Sequence, residues 1–124
     1  MPTQVKRVWF KPYQYLVTTD DTTYQVRVLP VSSRHILTIN SKYVWNIKSG
    51  TVNGLQYKTR GSHLIDMKPI LALPNPVVVF KNRPYKILQY LNESDIIDIS
   101  GQQVIHDLPI FTTLQSFLHQ LSTK

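Results

Sequence analysis

Residues 34–60, RHILTINSKYVWNIKSGTVNGLQYKTR, decide how the chain is organised. Between Lys42 and Lys48 the side chains alternate without a miss. Tyr43, Trp45 and Ile47 fall on one side, and Lys42, Val44, Asn46 and Lys48 on the other. A strand turns successive side chains to opposite faces, so this spacing predicts one apolar face and one polar, largely basic face. Asn53-Gly54 predicts a tight hairpin turn, because both residue types tolerate the positive φ of a type I′ turn. Leu37 and Ile39 precede a second turn at Asn40-Ser41 and should share the apolar face. The stretch therefore reads as three antiparallel strands, with a bulge near Ser49-Gly50 where the register is awkward.

Working outward toward the N-terminus, residues 22–29 alternate Tyr24, Val26 and Val28 with Gln25, Arg27 and Leu29. With Tyr13 to Thr19 they predict a further hairpin about Asp20-Asp21, flanked by β-branched threonines. Residues 4–10, QVKRVWF, predict a first strand ended by Lys11-Pro12. Toward the C-terminus the regular pattern fails from Gly61 to Pro76, which reads as an apolar crossover. Val77 to Phe80 and Tyr85 to Leu91 read as strands around the turn Lys81-Asn82-Arg83-Pro84. Asp95 to Ile99 and Gln102 to Ile105 read as a pair around Ser100-Gly101. The tail then changes period. Ile110, Phe111, Leu114, Phe117, Leu118 and Leu121 make a broad helical stripe, with Asp107 as cap and Pro109 in the first turn. These elements predict an α+β fold, mainly an antiparallel sheet or small partly open barrel, with one C-terminal amphipathic helix packed on it. At 124 residues, 42% of them hydrophobic, one domain over 1–124 is expected.

Composition limits the chemistry. There is no cysteine, which rules out a disulfide framework, a thiolate metal site and a cysteine nucleophile. The basic start MPTQVKRVWF is followed by no continuous apolar segment, and no run elsewhere reaches the length of a membrane span. A cytoplasmic protein that does not enter a membrane is expected. His35, His63, His106 and His119 lie far apart, and nothing selects a metal site from His63, Asp66, His106 or Asp107. The glycines build no phosphate loop, and no serine elbow is present. Asp66-Met67-Lys68 offers an acid-x-lysine of the kind a metal-dependent nuclease uses, but its partner acid is missing nearby. The sequence therefore predicts no enzyme, no metal and no cofactor.

Charge carries more information. Fourteen Lys and Arg face seven Asp and Glu, a net of +7. The first 86 residues hold thirteen of those cations against Asp20, Asp21 and Asp66, a net of +10, while the remainder is net −3. Such asymmetry points to an anionic partner for the N-terminal part. Lys6, Arg7, Lys11, Arg27, Arg34, Lys42, Lys48, Lys58, Arg60, Lys81, Arg83 and Lys86 are the candidate contacts, with Trp9, Tyr13 and Tyr85 interleaved. Cations that engage phosphates beside aromatics that stack on bases are how small β domains hold nucleic acid. The expected function is a basic binding module that contacts nucleic-acid phosphates without strong sequence preference. The competing expectation is an assembly component, for example of a phage particle or regulatory complex, whose basic face meets an acidic protein surface or whose exposed strand pairs with a neighbour. The oligomeric state is left open by the sequence.

Overall fold

Residues 34–60 fold as three consecutive antiparallel strands of one sheet, as the alternation requires. In the computed structural model, which describes residues 3–9, 11–53, 56–92 and 95–122, they are β4 (His35–Ile39), β5 (Val44–Asn53) and β6 (Gln56–Asp66). Pairing of β5 with β6 runs out to Asn53 and Gln56, and the predicted turn residue Gly54 lies outside the described residues. The expected bulge is present. The register shifts between Ser49 and Gly50, leaving Arg60 as the extra residue on β6. Trp45 and Ile47 are buried, whereas Tyr43 precedes β5 and stays 42% exposed, so it does not join the apolar face.

The other elements are β1 (Gln4–Arg7), β2 (Tyr15–Thr18), β3 (Thr23–Leu29), the short α1 (Lys68–Leu71), β7 (Pro76–Phe80), β8 (Lys86–Tyr90), β9 (Ile96–Asp98), β10 (Val104–Ile105), β11 (Leu108–Phe111) and α2 (Leu114–Ser122). Strands dominate, in two mixed sheets not closed into a barrel, with one helix at the C-terminal end: an α+β fold. The first sheet has the order β1-β2-β3-β7-β11-β10, and the second β6-β5-β4-β8-β9.

Three pairings at the centre of these sheets are parallel: β3 with β7, β7 with β11, and β4 with β8. This corrects several expectations. β7 and β8 do not form a hairpin about residues 81–84; the chain crosses there from the first sheet to the second. It makes the same crossing between β3 and β4, and the two crossings are bonded to each other, Asn82 N donating to Val31 O at 3.1 Å and Tyr85 N to His35 O at 2.9 Å. Likewise β9 pairs with β8 and β10 with β11, not with one another. β6 continues through Gly61 to Asp66, so the irregular stretch is confined to α1 and residues 72–75. The first strand ends at Arg7.

The helix begins later than its stripe suggests. Ile110 and Phe111 align with Val78 and Val79 in the parallel ladder, so the sheet takes them first. Pro109 lies in β11, and Thr113 is the residue that caps α2, its Oγ1 accepting from Ser116 N at 3.1 Å. Asp107 instead forms, with His106, the two-residue turn between β10 and β11. Their φ values of 65° and 49° are those of a type I′ hairpin turn.

Two clusters hold the layers together. Leu29, Val78, Phe80, Leu108 and Ile110 of the first sheet meet Leu37, Ile39, Trp45, Ile47, Ile65 and Ile87 of the second. On the other face of the first sheet, Val17, Val26, Val77 and Val79 pack against Phe117 of α2, whose ring meets Tyr24 edge-on at 5.4 Å and Phe111 at 5.0 Å. β7 is thus buried on both faces, which is why Val77 to Phe80 read as an unbroken apolar run. Among the described residues, no helix lies on the outer face of the second sheet.

Candidate nucleic-acid interface

On that outer face the register sets a row across four strands: Ser62 on β6, Lys48 on β5, Ile36 on β4 and Lys86 on β8. Neighbouring strands lie about 4.8 Å apart, so the two lysine Cα atoms stand roughly 10 Å from each other across Ile36. Tyrosines surround the row. Lys48 Nζ donates to Tyr90 Oη at 3.1 Å and lies 5.6 Å from that ring's centroid. Lys86 Nζ lies 5.8 Å from the ring of Tyr85, which stacks on Tyr57 at 5.5 Å with 26° between planes. The Tyr57 hydroxyl in turn reaches Arg34 O at 2.6 Å and Lys48 O at 3.0 Å, and burial pushes its pKa up.

β4 ends at the Ser49 pairing, so residues 50–53 and 56–60 extend beyond it as a two-stranded arm. Lys58 and Arg60 are exposed there. Arg34, Lys48 and Lys86 thus meet three tyrosines, Tyr90 through Lys48 and the Tyr57–Tyr85 pair through the Arg34 and Lys48 carbonyls and Lys86, while Lys58, paired with Thr51, falls on the face opposite Lys48. Asp98 tempers the field at the far edge. Its pKa is lowered by hydrogen bonds from the Ser100 hydroxyl and backbone N–H, with the charge of Lys86 contributing less. Ser100 N donates to it at 2.9 Å.

The remaining candidates are placed elsewhere. Lys6 and Arg7 point to opposite faces of β1, at the edge of the first sheet. Arg7 lies 4.9 Å from the centroid of Trp9, itself 68% exposed, and donates to Tyr15 Oη at 3.0 Å. Lys11 is exposed between β1 and β2, where Tyr13 is half-buried. Lys42 lies in the β4–β5 turn, at the opposite end of the strands from Arg34. Lys81 and Arg83 sit in the β7–β8 crossing, and Arg83 lines a cleft of about 460 Å³ together with Tyr85 and Gln103.

Arg27 departs furthest from expectation. It shares a face of β3 with Leu29, toward the second sheet, so it does not project outward. Its Nη1 donates to Pro12 O at 3.3 Å, its Nε has no partner among the described residues, and burial lowers its pKa. An orphaned buried donor costs stability that an apolar chain of similar length does not. Arg27→Met should therefore leave the midpoint of urea unfolding unchanged or raise it, and should leave any oligonucleotide binding intact.

Tyr57 and Tyr90 are contributors the sequence pattern did not single out. The alternation places Tyr57 with the apolar set, and only the bulge opposite Gly50 brings its hydroxyl to the Arg34 and Lys48 carbonyls. For the acid-x-lysine motif, Asp66 Oδ1 accepts from Lys68 N at 3.0 Å, and Lys68 Nζ lies 5.8 Å from the Tyr43 ring. Among the described residues no three His, Asp or Glu side chains converge on a point that could hold a metal ion. Among the same residues no helix is long and apolar enough to cross a membrane. No protein-family model, curated protein sequence or solved structure matches this chain.

Proposed function

We propose that the protein is a non-enzymatic cytoplasmic module that binds single-stranded nucleic acid through the outer face of its second sheet. The observation that carries this reading is the Lys48–Ile36–Lys86 row with Tyr90 beside it, on a face that no helix among the described residues covers, and the Tyr57–Tyr85 stack at the end of that row. Ammonium groups at strand spacing can follow a phosphate backbone. Tyrosine rings offer bases a surface that does not discriminate among them.

If Arg34, Lys48, Arg60 and Lys86 each neutralise one phosphate, log affinity for a random single-stranded oligonucleotide should fall with log salt at a slope of roughly −2.8. Lys48→Gln with Lys86→Gln should reduce that slope by about 1.4 and weaken binding at low salt. Fluorescence anisotropy across a salt series measures both. Absence of binding at low ionic strength would overturn the reading.

A protein-assembly surface is the second reading, favoured by a different observation. The same face exposes Val44, Leu64 and Ile96, and the 11-residue β6 is an edge strand whose outer side pairs with no strand among the described residues. A stable oligomer in light scattering that salt does not dissociate, with no oligonucleotide binding, would select it.

A further inference from the structure

At the other end of the second sheet, we propose a separate site for a phosphorylated sugar, of which a nucleoside monophosphate is the common form. A cleft of about 400 Å³ opens there, lined by Lys42, Tyr43, Lys68, Leu71, His106 and Asp107. That volume lies within the range of small-molecule sites. The Tyr43 main chain is held to α1's N-terminal flank, its carbonyl accepting from Met67 N at 2.7 Å. Two ammonium groups converge on its exposed ring, Lys42 Nζ at 5.5 Å and Lys68 Nζ at 5.8 Å from the centroid. Lysines drawn from a turn and from α1 are thus gathered at one point on the surface.

The third wall is the β10–β11 turn. Both of its central residues hold left-handed φ, a conformation in which Asn-Gly fits with less strain than His-Asp. The turn therefore retains two functional side chains at a backbone cost, and both line the cleft. The chemistry is mixed in a way that suits one ligand class. Two ammonium groups and an imidazole can hold a phosphate ester, and the Asp107 carboxylate can accept from sugar hydroxyls. The Leu71 side chain supplies an apolar wall for a base. A purely anionic ligand would have no use for Asp107.

The site lies apart from Lys48 and Lys86, so its test is independent of oligonucleotide binding. Adenosine monophosphate, ribose 5-phosphate and inorganic phosphate titrated into the full chain, followed by amide chemical shifts, are the probes. Adenosine monophosphate and ribose 5-phosphate should shift amides around Tyr43 and His106, the nucleotide more tightly, with inorganic phosphate at least tenfold weaker. Lys42→Ala with Lys68→Ala should weaken nucleotide binding at least tenfold while leaving the oligonucleotide salt slope unchanged. His106→Asn with Asp107→Gly should also abolish nucleotide binding, yet raise the unfolding midpoint, because the new pair suits the turn. No saturable shift with any of the three probes at millimolar concentration would overturn the proposal. Nucleotide binding untouched by both double variants would overturn it equally.

Discussion

Trp45→Ala should cost the fold about 3–5 kcal/mol, the usual loss when a large aromatic is deleted from a packed interior. Trp45 is fully buried on β5, between Ile39 on β4 and Ile65 on β6, in the cluster that joins the two sheets. A domain of this size is stable by roughly 5–15 kcal/mol in total, so the variant should sit near the edge of folding at room temperature. Trp45→Phe should lose less than half as much. Part of the tryptophan's contribution is already cancelled, because its buried Nε1 donor has no partner among the described residues, which costs about 1–3 kcal/mol. Phenylalanine removes that donor while filling most of the volume. Urea unfolding followed by circular dichroism compares the two, and an alanine variant that loses under 1 kcal/mol would show that the sheets do not pack as described.

Gly50→Ala should be nearly as damaging, for a different reason. A Cβ at Gly50 would stand 2.2 Å from the Lys58 carbonyl oxygen and 2.9 Å from Tyr57 Cε1. The first obstacle is backbone and cannot swing aside, so the bulge itself must open. The cost should reach the upper end of the overpacking range, about 3 kcal/mol. Loss should be local as well as global. Hydrogen-exchange protection should vanish along residues 50–53 and 56–60 while persisting at Trp45 and Ile47. Oligonucleotide affinity should fall too, since Tyr57 would leave its place between Arg34 and Lys48. Gly61→Ala is the control: its nearest obstacle is the Ser49 hydroxyl at 3.4 Å, and it should be tolerated.

The contrast between what sequence reveals and what it hides follows from distance along the chain. Alternation over residues 42–48, the Asp20-Asp21 turn and the apolar tail are local patterns; β4–β6 and the β2–β3 hairpin formed where they indicate, and α2 over the later part of its stripe. The parallel pairings have no local signature. Val26 meets Val77 only in the folded chain, and a run such as Val77 to Phe80 fits any strand buried on both sides. The candidate interface divides along the same line. Lys48 and Lys86 could be assigned outward from period two, because their strands have one covered and one open face. Arg27 could not, because the first sheet is covered on both faces over part of β3, and period two names the face without saying which one meets water. Tyr57 was hidden by the bulge, which reverses the alternation partway along β6.

The two parallel crossings also set how the molecule must assemble. Val26 pairs with Val77 and Leu37 with Ile87, partners about fifty residues apart, so both sheets stay incomplete until the later half of the chain arrives. Long-range pairing of this kind is slow, because the entropy of closing a large loop is lost before any contact rewards it, and refolding belongs in the millisecond-to-second regime. During that interval β3 and β4 present unsaturated edges rich in valine, leucine and isoleucine. Self-association of the half-formed chain then competes with closure, and dilution favours the native path.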